Sequence, residues 1–399
     1  MPKLRIEKIS IINVSNFRSL DIDFNENYNL ICGNNGVGKT SLLNIIAASF
    51  GGAAQNPSIK KNAIAQREGQ GAGWSLFVDV NGQKRNTNAT VTAFSPEEKG
   101  HHQGLVQLSD HVLYLKTNRD FSYKKLTSIS RDPSITSIDA QSMSIKGVDA
   151  NQIKTWFTNR YLLRPHGQDW PKERIENLES AISALSTLDS SVSLARVDTS
   201  TFDIYVDTKY GTVPYEYLSS GFRAAWSILL GIIKEIELRG LGYSAQNFSG
   251  VIIIDELDLH LHPTWQRIMP SAVRELFPNA QIIASSHSPH MAQDASQDEL
   301  IALQVDEGGI VNRRHLPSSK YGFKGWTIEE ILKEVMGLGD TRPDIYSDAI
   351  KSFGKSIDNS DATETKYWLG ELEEMLHPSN HLRKILRIQA ASIIGELDD

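Results

Sequence analysis

Residues Gly33-Asn34-Asn35-Gly36-Val37-Gly38-Lys39-Thr40 follow the order G-x-x-x-x-G-K-[ST]. Glycines let the backbone wrap tightly enough for several amide N–H groups to converge, and converging amides bind phosphate oxygens. Lys39 can then reach β/γ-phosphate oxygens, and Thr40 offers a hydroxyl to Mg²⁺. Far downstream, the apolar run Val251 to Ile254 ends in Asp255-Glu256. The first acid suits a metal-bridged phosphate, and the second is placed to polarise an attacking water. Two further segments carry candidate groups. Leu218-Ser219-Ser220-Gly221-Phe222 is a polar turn before a long apolar stretch, and Gln281 to His290 puts His287 just past a strand. Together these residues have the makings of phosphoryl transfer from ATP to water, with Mg²⁺ as cofactor.

Such groups need a scaffold that points them at one place. Tyr28 to Cys32 reads as a strand, and Ser41 to Phe50 as a helix that stops at Gly51-Gly52. The start of that helix adds partial positive charge to the phosphate site. Four consecutive apolar residues before Asp255 suit a strand buried on both faces of a parallel sheet. Leu4, Ile6, Ile9 and Ile11 fit a further strand, and Val112 to Leu115 a short core strand. Trp74 to Phe94 alternates around Asn81-Gly82, a hairpin signal. Pro171 opens a helix with Ile175, Leu178, Ile182 and Leu185 on one face, and Phe202 to Leu218 reads as a hairpin feeding the serine turn. Thr327 to Glu330 is a capping box, and Tyr367 to Glu374 and His381 to Leu397 are helical. No heptad pattern is sustained between the two halves, which excludes a long coiled-coil arm, and no internal repeat is seen.

The order of P-loop, serine turn, Asp-Glu strand end and strand-terminal histidine resembles the ABC-type ATPases, in particular the soluble SMC-like, RecF and OLD-like branch. Asn16-Phe17-Arg18 before the second strand is similar to that branch rather than to membrane exporters. The resemblance implies an α/β fold, an ABC-type P-loop NTPase head with a mixed core sheet, flanking helices and an antiparallel β subdomain. On that plan residues 1–120 form the first half of the core and 121–200 a helical insertion. Residues 201–320 form the second half, and 321–399 a helical C-terminal tail that is a dimer or partner surface or else covers the sheet. The family's heads dimerise around two ATP molecules. Carried over by motif, Asn34 to Ser41 hold phosphate and Thr40 and Asp255 hold Mg²⁺. Glu256 acts on water, His287 senses the γ-phosphate, and Ser219, Ser220 and Gly221 complete the site of the opposing protomer. Arg18 would approach the nucleotide, the alternative being a surface arginine in a turn. For His287 the alternative is a helix cap. A glutamine contact to the metal is expected, with Gln66, Gln70, Gln103 and Gln107 all open.

The pattern also departs from the family. Ser220 stands where many relatives have glycine, and Phe222 where glutamine or glutamate is common. Leu257-Asp258 follows the paired acids, then Leu259-His260-Leu261-His262-Pro263. These details are most similar to the Septu-type ATPase subunit of anti-phage systems, also found in retron systems, which works with an HNH nuclease. The resemblance implies a homodimer, or a larger oligomer, with a separate HNH-type nuclease subunit, and it leaves DNA or retron nucleic acid open as a ligand. A RecF-like repair ATPase acting on duplex DNA and a nucleotide-gated scaffold without turnover are the competing readings.

Composition is compatible with all three. The chain has 399 residues, 40% of them apolar, enough for a sizeable core. No apolar stretch is long enough to span a bilayer and no secretory leader is seen, so a cytoplasmic protein without membrane contact is expected. Its single cysteine, Cys32, excludes an internal disulfide and reads as a small buried hydrophobe. The net charge of −7 argues against coating by nucleic acid over the whole surface but not against a local basic groove. Two stretches mix basic and aromatic side chains: Lys116 to Arg131, and Arg313 to Trp326 with Lys320, Tyr321, Phe323 and Lys324. His260, His262, His287 and His290 could gather on zinc, but Pro263 favours a turn into a helix instead; the pair His101-His102 is isolated.

Overall fold

The structure, a computed structural model, describes residues 3–51, 59–95, 97–98, 104–117, 125–129, 132, 135–147, 152–317, 319–339 and 342–395. His101, His102, Gln103, Arg119, Phe121, Tyr123, Lys124 and Arg131 lie outside them. The chain divides into two units, Met1–Gly337 and Leu338–Asp399.

In the first unit, apolar runs build a central sheet. In its middle β3 (Tyr28–Gly33) pairs on one side with β12 (Leu300–Val305) and on the other with β11 (Gln281–Ser285). Next to β11 comes β10 (Val251–Ile254) and then β6 (Val112–Leu115). All these pairs are parallel, and β13 (Val311–Arg314) adds an antiparallel edge on β12. Alternate residues feed two cores. Leu30, Cys32, Ile252, Ile254 and Ala284 face one, and Ile31, Val251, Ile253 and Ile283 the other. This is why these strands are unbroken hydrophobic runs: neither face meets water.

The second core also takes in α1 (Lys39–Ala48) and an antiparallel sheet in the order β2 (Phe17–Asp23), β1 (Leu4–Val14), β4 (Gly73–Val80), β5 (Gln83–Thr90). Leu42, Leu43, Ile45, Ile46, Ala47 and Ala48 are all buried, as expected of a helix apolar on every side. The short α2 (Ala63–Arg67) precedes β4. Between β4 and β5, Asn81 and Gly82 both have positive φ, 55° and 81°, the conformation a two-residue hairpin requires.

The first core is covered by helices. α3 (Ser137–Lys146) packs beside β6. α4 (Ile153–Leu163), α5 (Lys172–Leu188), α6 (Ser220–Leu238) and α7 (Pro263–Leu276) bury their apolar faces together. Trp226 of α6 donates to the Ala181 carbonyl at 3.2 Å and meets Phe157 edge-on at 5.3 Å. Leu229, Ile232 and Ile233 are fully buried, each contributing about 1.5–3 kcal/mol. A carboxylate at Ile232 would remove that gain and bury an unpaired charge. Residues 193–197, placed by sequence in the helical insertion, form β7 (Ser193–Val197), which joins β8 (Ile204–Thr208) and β9 (Gly211–Pro214) in a third sheet. Lys154 of α4 ties this sheet down through Asp203 and Glu216, both at 2.7 Å.

α8 (Pro289–Asp294) and α9 (Ile328–Glu334) follow. Ile331, Val335 and Met336 enter the main core, so the stretch from 321 to 337 belongs to the first unit. The second unit holds α10 (Asp344–Asp358), α11 (Ala362–Met375) and α12 (Leu382–Ile394) around Phe353, Leu369, Leu372 and Leu386. Among the described residues no helix is long and apolar enough to cross a membrane.

Candidate functional site

The P-loop connects β3 to α1, and its glycines are required by space as well as by φ. Gly38 has φ 104°, and a Cβ there would fall 2.8 Å from the Phe17 ring. Gly33 has φ 144°, and its Cβ would fall 2.3 Å from the Leu303 carbonyl oxygen. Phe17 belongs to the Asn16-Phe17-Arg18 triplet, which lies over the loop. Asn16 Nδ2 donates to the Gly36 carbonyl at 2.8 Å. Arg18 Nη2 bonds Glu68 and Gln70 at 3.2 and 3.3 Å, while its buried Nη1 has no partner among the described residues. Of the candidate glutamines, Gln70 is thus the one bonded to Arg18.

Lys39 is 5% exposed and folds back on the loop, donating to the carbonyls of Gly33 at 2.8 Å and Asn34 at 3.0 Å. Burial pushes its pKa down; Cys32 and the carboxylates of Asp258, Glu256 and Asp255 oppose that. Val37 is buried, Ser41 half-buried, and Asn35, Gly36 and Thr40 are exposed. Asn34 Nδ2 donates to the Gly337 carbonyl at 2.9 Å.

Parallel pairing of β10 with β11 brings the acids to the same place. Ile254 lies opposite Ala284, so Asp255 and Ser285 are adjacent at the carboxyl ends of their strands. Asp255 Oδ1 accepts from Thr40 Oγ1 at 3.1 Å and from Ser285 Oγ at 2.7 Å. The same Ser285 oxygen accepts from the Glu256 N–H at 2.8 Å. Glu256 itself has φ 47°, a left-handed conformation that costs a non-glycine residue roughly 1–3 kcal/mol. Asp258 Oδ1 accepts the His287 N–H at 3.0 Å. Burial first, and Lys39 second, hold the His287 imidazole below the ordinary histidine pKa, against Asp258, Glu256 and Asp255. Thr40, Lys39, Asp255, Glu256 and His287 therefore converge through short links from three strand ends.

Spacing assigns no role to Ser285 or Asp258, and Asn16 is marked only as part of the triplet with Phe17 and Arg18. Each acts through a partner distant in sequence, and only the strand order reveals it. Lys116, which the sequence marks as the start of a basic and aromatic stretch, also comes beside the acid, because the Asp255 N–H bonds the Leu115 carbonyl at 2.8 Å. Burial lowers its pKa and Asp255 opposes.

The serine turn lies apart from this cluster. Ser219 caps α6, its hydroxyl accepting from the Phe222 N–H at 3.2 Å. Gly221 is fixed by Trp265, whose Cδ1 would lie 2.6 Å from a Cβ there, and Phe222 meets the Trp265 ring edge-on at 5.2 Å. Ser219 and Ser220 are exposed. Among the described residues no hydrogen bond joins Ser219, Ser220 or Gly221 to residues 33–41. His262 is a helix cap: its Nδ1 accepts from the Thr264 N–H at 3.3 Å.

The donor set fits Mg²⁺ and a triphosphate. Thr40 and Asp255 offer hard oxygen ligands. The glycine cradle leaves no room for a Cβ at Gly33 or Gly38, and Arg18 Nη1 is a buried donor in want of an acceptor.

Residues 29–291 match the family model described as AAA domain, putative AbiEii toxin, Type IV TA system. The Septu protein PtuA of Bacillus thuringiensis is 39% identical over 393 residues, 97% of this chain and 98% of that one. A Septu protein PtuA of Bacillus mycoides is 27% identical over 85% of this chain and 46% of its own length. The SMC head domain from Thermotoga maritima covers 78% of this chain and 99% of its own at 16% identity, with a TM-score of 0.46. By the first two of these matches, the chain belongs to the AAA-domain ATPase family that includes the Septu PtuA proteins.

Proposed function

We propose that this chain binds and hydrolyses ATP, closes as a head-to-head dimer around two nucleotides, and controls a separate nuclease in anti-phage defence. The observation that supports hydrolysis best is the continuous chain Thr40–Asp255–Ser285–Glu256, which joins two hard oxygen donors to the backbone of the second acid. Lys39 leaves the carbonyls of Gly33 and Asn34 to meet β/γ oxygens, and the N–H groups of residues 34–41 hold the rest of the phosphate chain. Mg²⁺, held by Thr40 and Asp255, would supply charge opposite those oxygens. Glu256 orients the attacking water and accepts its proton, and the neutral His287 ring contacts the γ-phosphate. Arg18 turns its free Nη1 to the nucleotide. Ser219, Ser220 and Gly221 come from the opposing protomer, with the N-terminal charge of α6 behind them.

The nuclease is assigned to a different polypeptide, of the HNH type that the Septu likeness suggests. Among the described residues no group of three or more histidine, cysteine, aspartate or glutamate side chains is gathered as a metal site. ATP would hold that partner inactive or poised.

Glu256→Gln should bind ATP normally yet release phosphate about 10²–10⁴-fold more slowly, the usual loss of a general base. Lys39→Ala should weaken binding itself. Calorimetric titration with ATP and a single-turnover phosphate assay separate the two; near wild-type phosphate release by Glu256→Gln would sink the assignment.

A further inference from the structure

A cleft lies along the helix that follows His287. Arg267 on α7, His290 and Gln293 on α8, and Lys324 on the following loop line one open, mostly polar cleft with Asp294. Asp294 pairs with Arg274 at 3.2 Å, a guanidinium it shares with Glu299 at 3.0 Å. The side chains of Arg267, His290 and Lys324, by contrast, make no ion pair or hydrogen bond among the described residues, so two cations, Arg267 and Lys324, stand in the cleft without a bonded carboxylate in a chain whose net charge is −7.

The backbone segments that carry these side chains are held in place. The loop bearing Lys324 is anchored on both sides: Phe323 is 1% exposed in the main core, and the Trp326 carbonyl accepts from Gln293 Nε2 at 2.7 Å. Gly322, with φ 60°, presses so close to α8 that a Cβ would lie 2.6 Å from the Ala295 carbonyl oxygen. α7 and α8 are joined by Ser288 Oγ donating to Gln266 Oε1 at 2.7 Å. The same fixed loop presents Tyr321, 65% exposed, with Lys320 Nζ 5.0 Å from its ring centroid. Exposed cations that lack a bonded protein partner, carried on anchored backbone beside an exposed ring, suit alternating phosphates and bases.

We infer that this cleft binds the phosphodiester backbone of single-stranded nucleic acid, with Arg267 and Lys324 on phosphates and Tyr321 as a platform for a base. This names a ligand class for the defence ATPase and rests on that reading for its purpose, not for its chemistry. Binding is therefore measured without nucleotide, and phosphate release without nucleic acid, so that either can fail alone.

The test is fluorescence anisotropy of a labelled single-stranded DNA 30-mer with the full chain, across a salt series, with unlabelled duplex, single-stranded RNA and polyglutamate as competitors. The double variant Arg267→Glu/Lys324→Glu should bind at least about tenfold more weakly, and its salt slope should fall by about 1.4, at about 0.7 per phosphate contact on a single strand. Tyr321→Ala should cost about tenfold on single strands. Lys172→Glu/Lys351→Glu alters net charge equally and should bind as wild type. All variants should keep basal phosphate release. The inference is overturned if the control pair loses as much as the cleft pair, or if no binding is seen with the wild type. Polyglutamate competing as well as DNA overturns it too, since the cleft would then be a site for acidic peptide.

Discussion

The two halves of the proposed nucleotide site are built in opposite ways. The P-loop half is closed on itself. Asn16 and Phe17 lie over the loop, Lys39 bonds its carbonyls, and Ser285 ties Asp255 to Glu256. The signature half, Ser219 to Gly221, is equally well fixed but by different neighbours, its own helix and Trp265, and it offers its exposed hydroxyls outward. A rigid turn with exposed serines that makes no hydrogen bond to the P-loop among the described residues suits a surface supplied from outside. On the proposed reading, the contrast separates binding, assigned to one chain, from turnover, assigned to two.

Breaking the outward half should have the largest effect. Ser219→Arg places a bulky cation where the opposite γ-phosphate would come, so steady-state phosphate release should fall to background while ATP affinity stays near wild type. Normal turnover in this variant would mean that the signature half is not used at all. Gly38→Ala attacks the inward half. At φ 104°, with the Phe17 ring 2.8 Å from the new Cβ, the loop must shift, and ATP affinity should fall by about tenfold or more. An unchanged dissociation constant would show that the cradle is looser than its geometry implies. The smallest effect is electrostatic. Burial and Lys39 disfavour the His287 imidazolium, so in the nucleotide-free protein this ring should take up its proton only below the ordinary histidine value of 6.5. It is then neutral at pH 7. An NMR titration read against His287→Gln checks this, and a midpoint above 6.5 would contradict the placement beside Lys39.

The same contrast explains what could be read from the sequence. The P-loop and the Asp255-Glu256 strand end are contiguous strings whose chemistry is carried by neighbours in the chain, and the apolar runs around them show that the strands are buried. Ser285 and Asp258 matter through bonds between strand ends, Asp255 to Ser285 and His287 to Asp258, and no local pattern marks them. β7 was hidden for a similar reason. It is short, follows a long helix, and is a strand because β8 pairs with it. Lys320, Tyr321 and Lys324 were visible as a basic and aromatic stretch. Their companions Arg267 and His290 come from α7 and α8, and only the fold assembles them into one cleft.

The central claim is that each site takes its P-loop from one chain and its serine turn from another. Mixing two inactive variants tests it most directly. Lys39→Ala keeps an intact Ser219 turn, and Ser219→Arg keeps an intact P-loop, so a mixed dimer contains one complete site. The account predicts that neither variant alone releases phosphate above background, and that the equimolar mixture recovers activity that rises with total protein concentration. A mixture as inactive as its components, under conditions where the two chains are shown by cross-linking to associate, would contradict it.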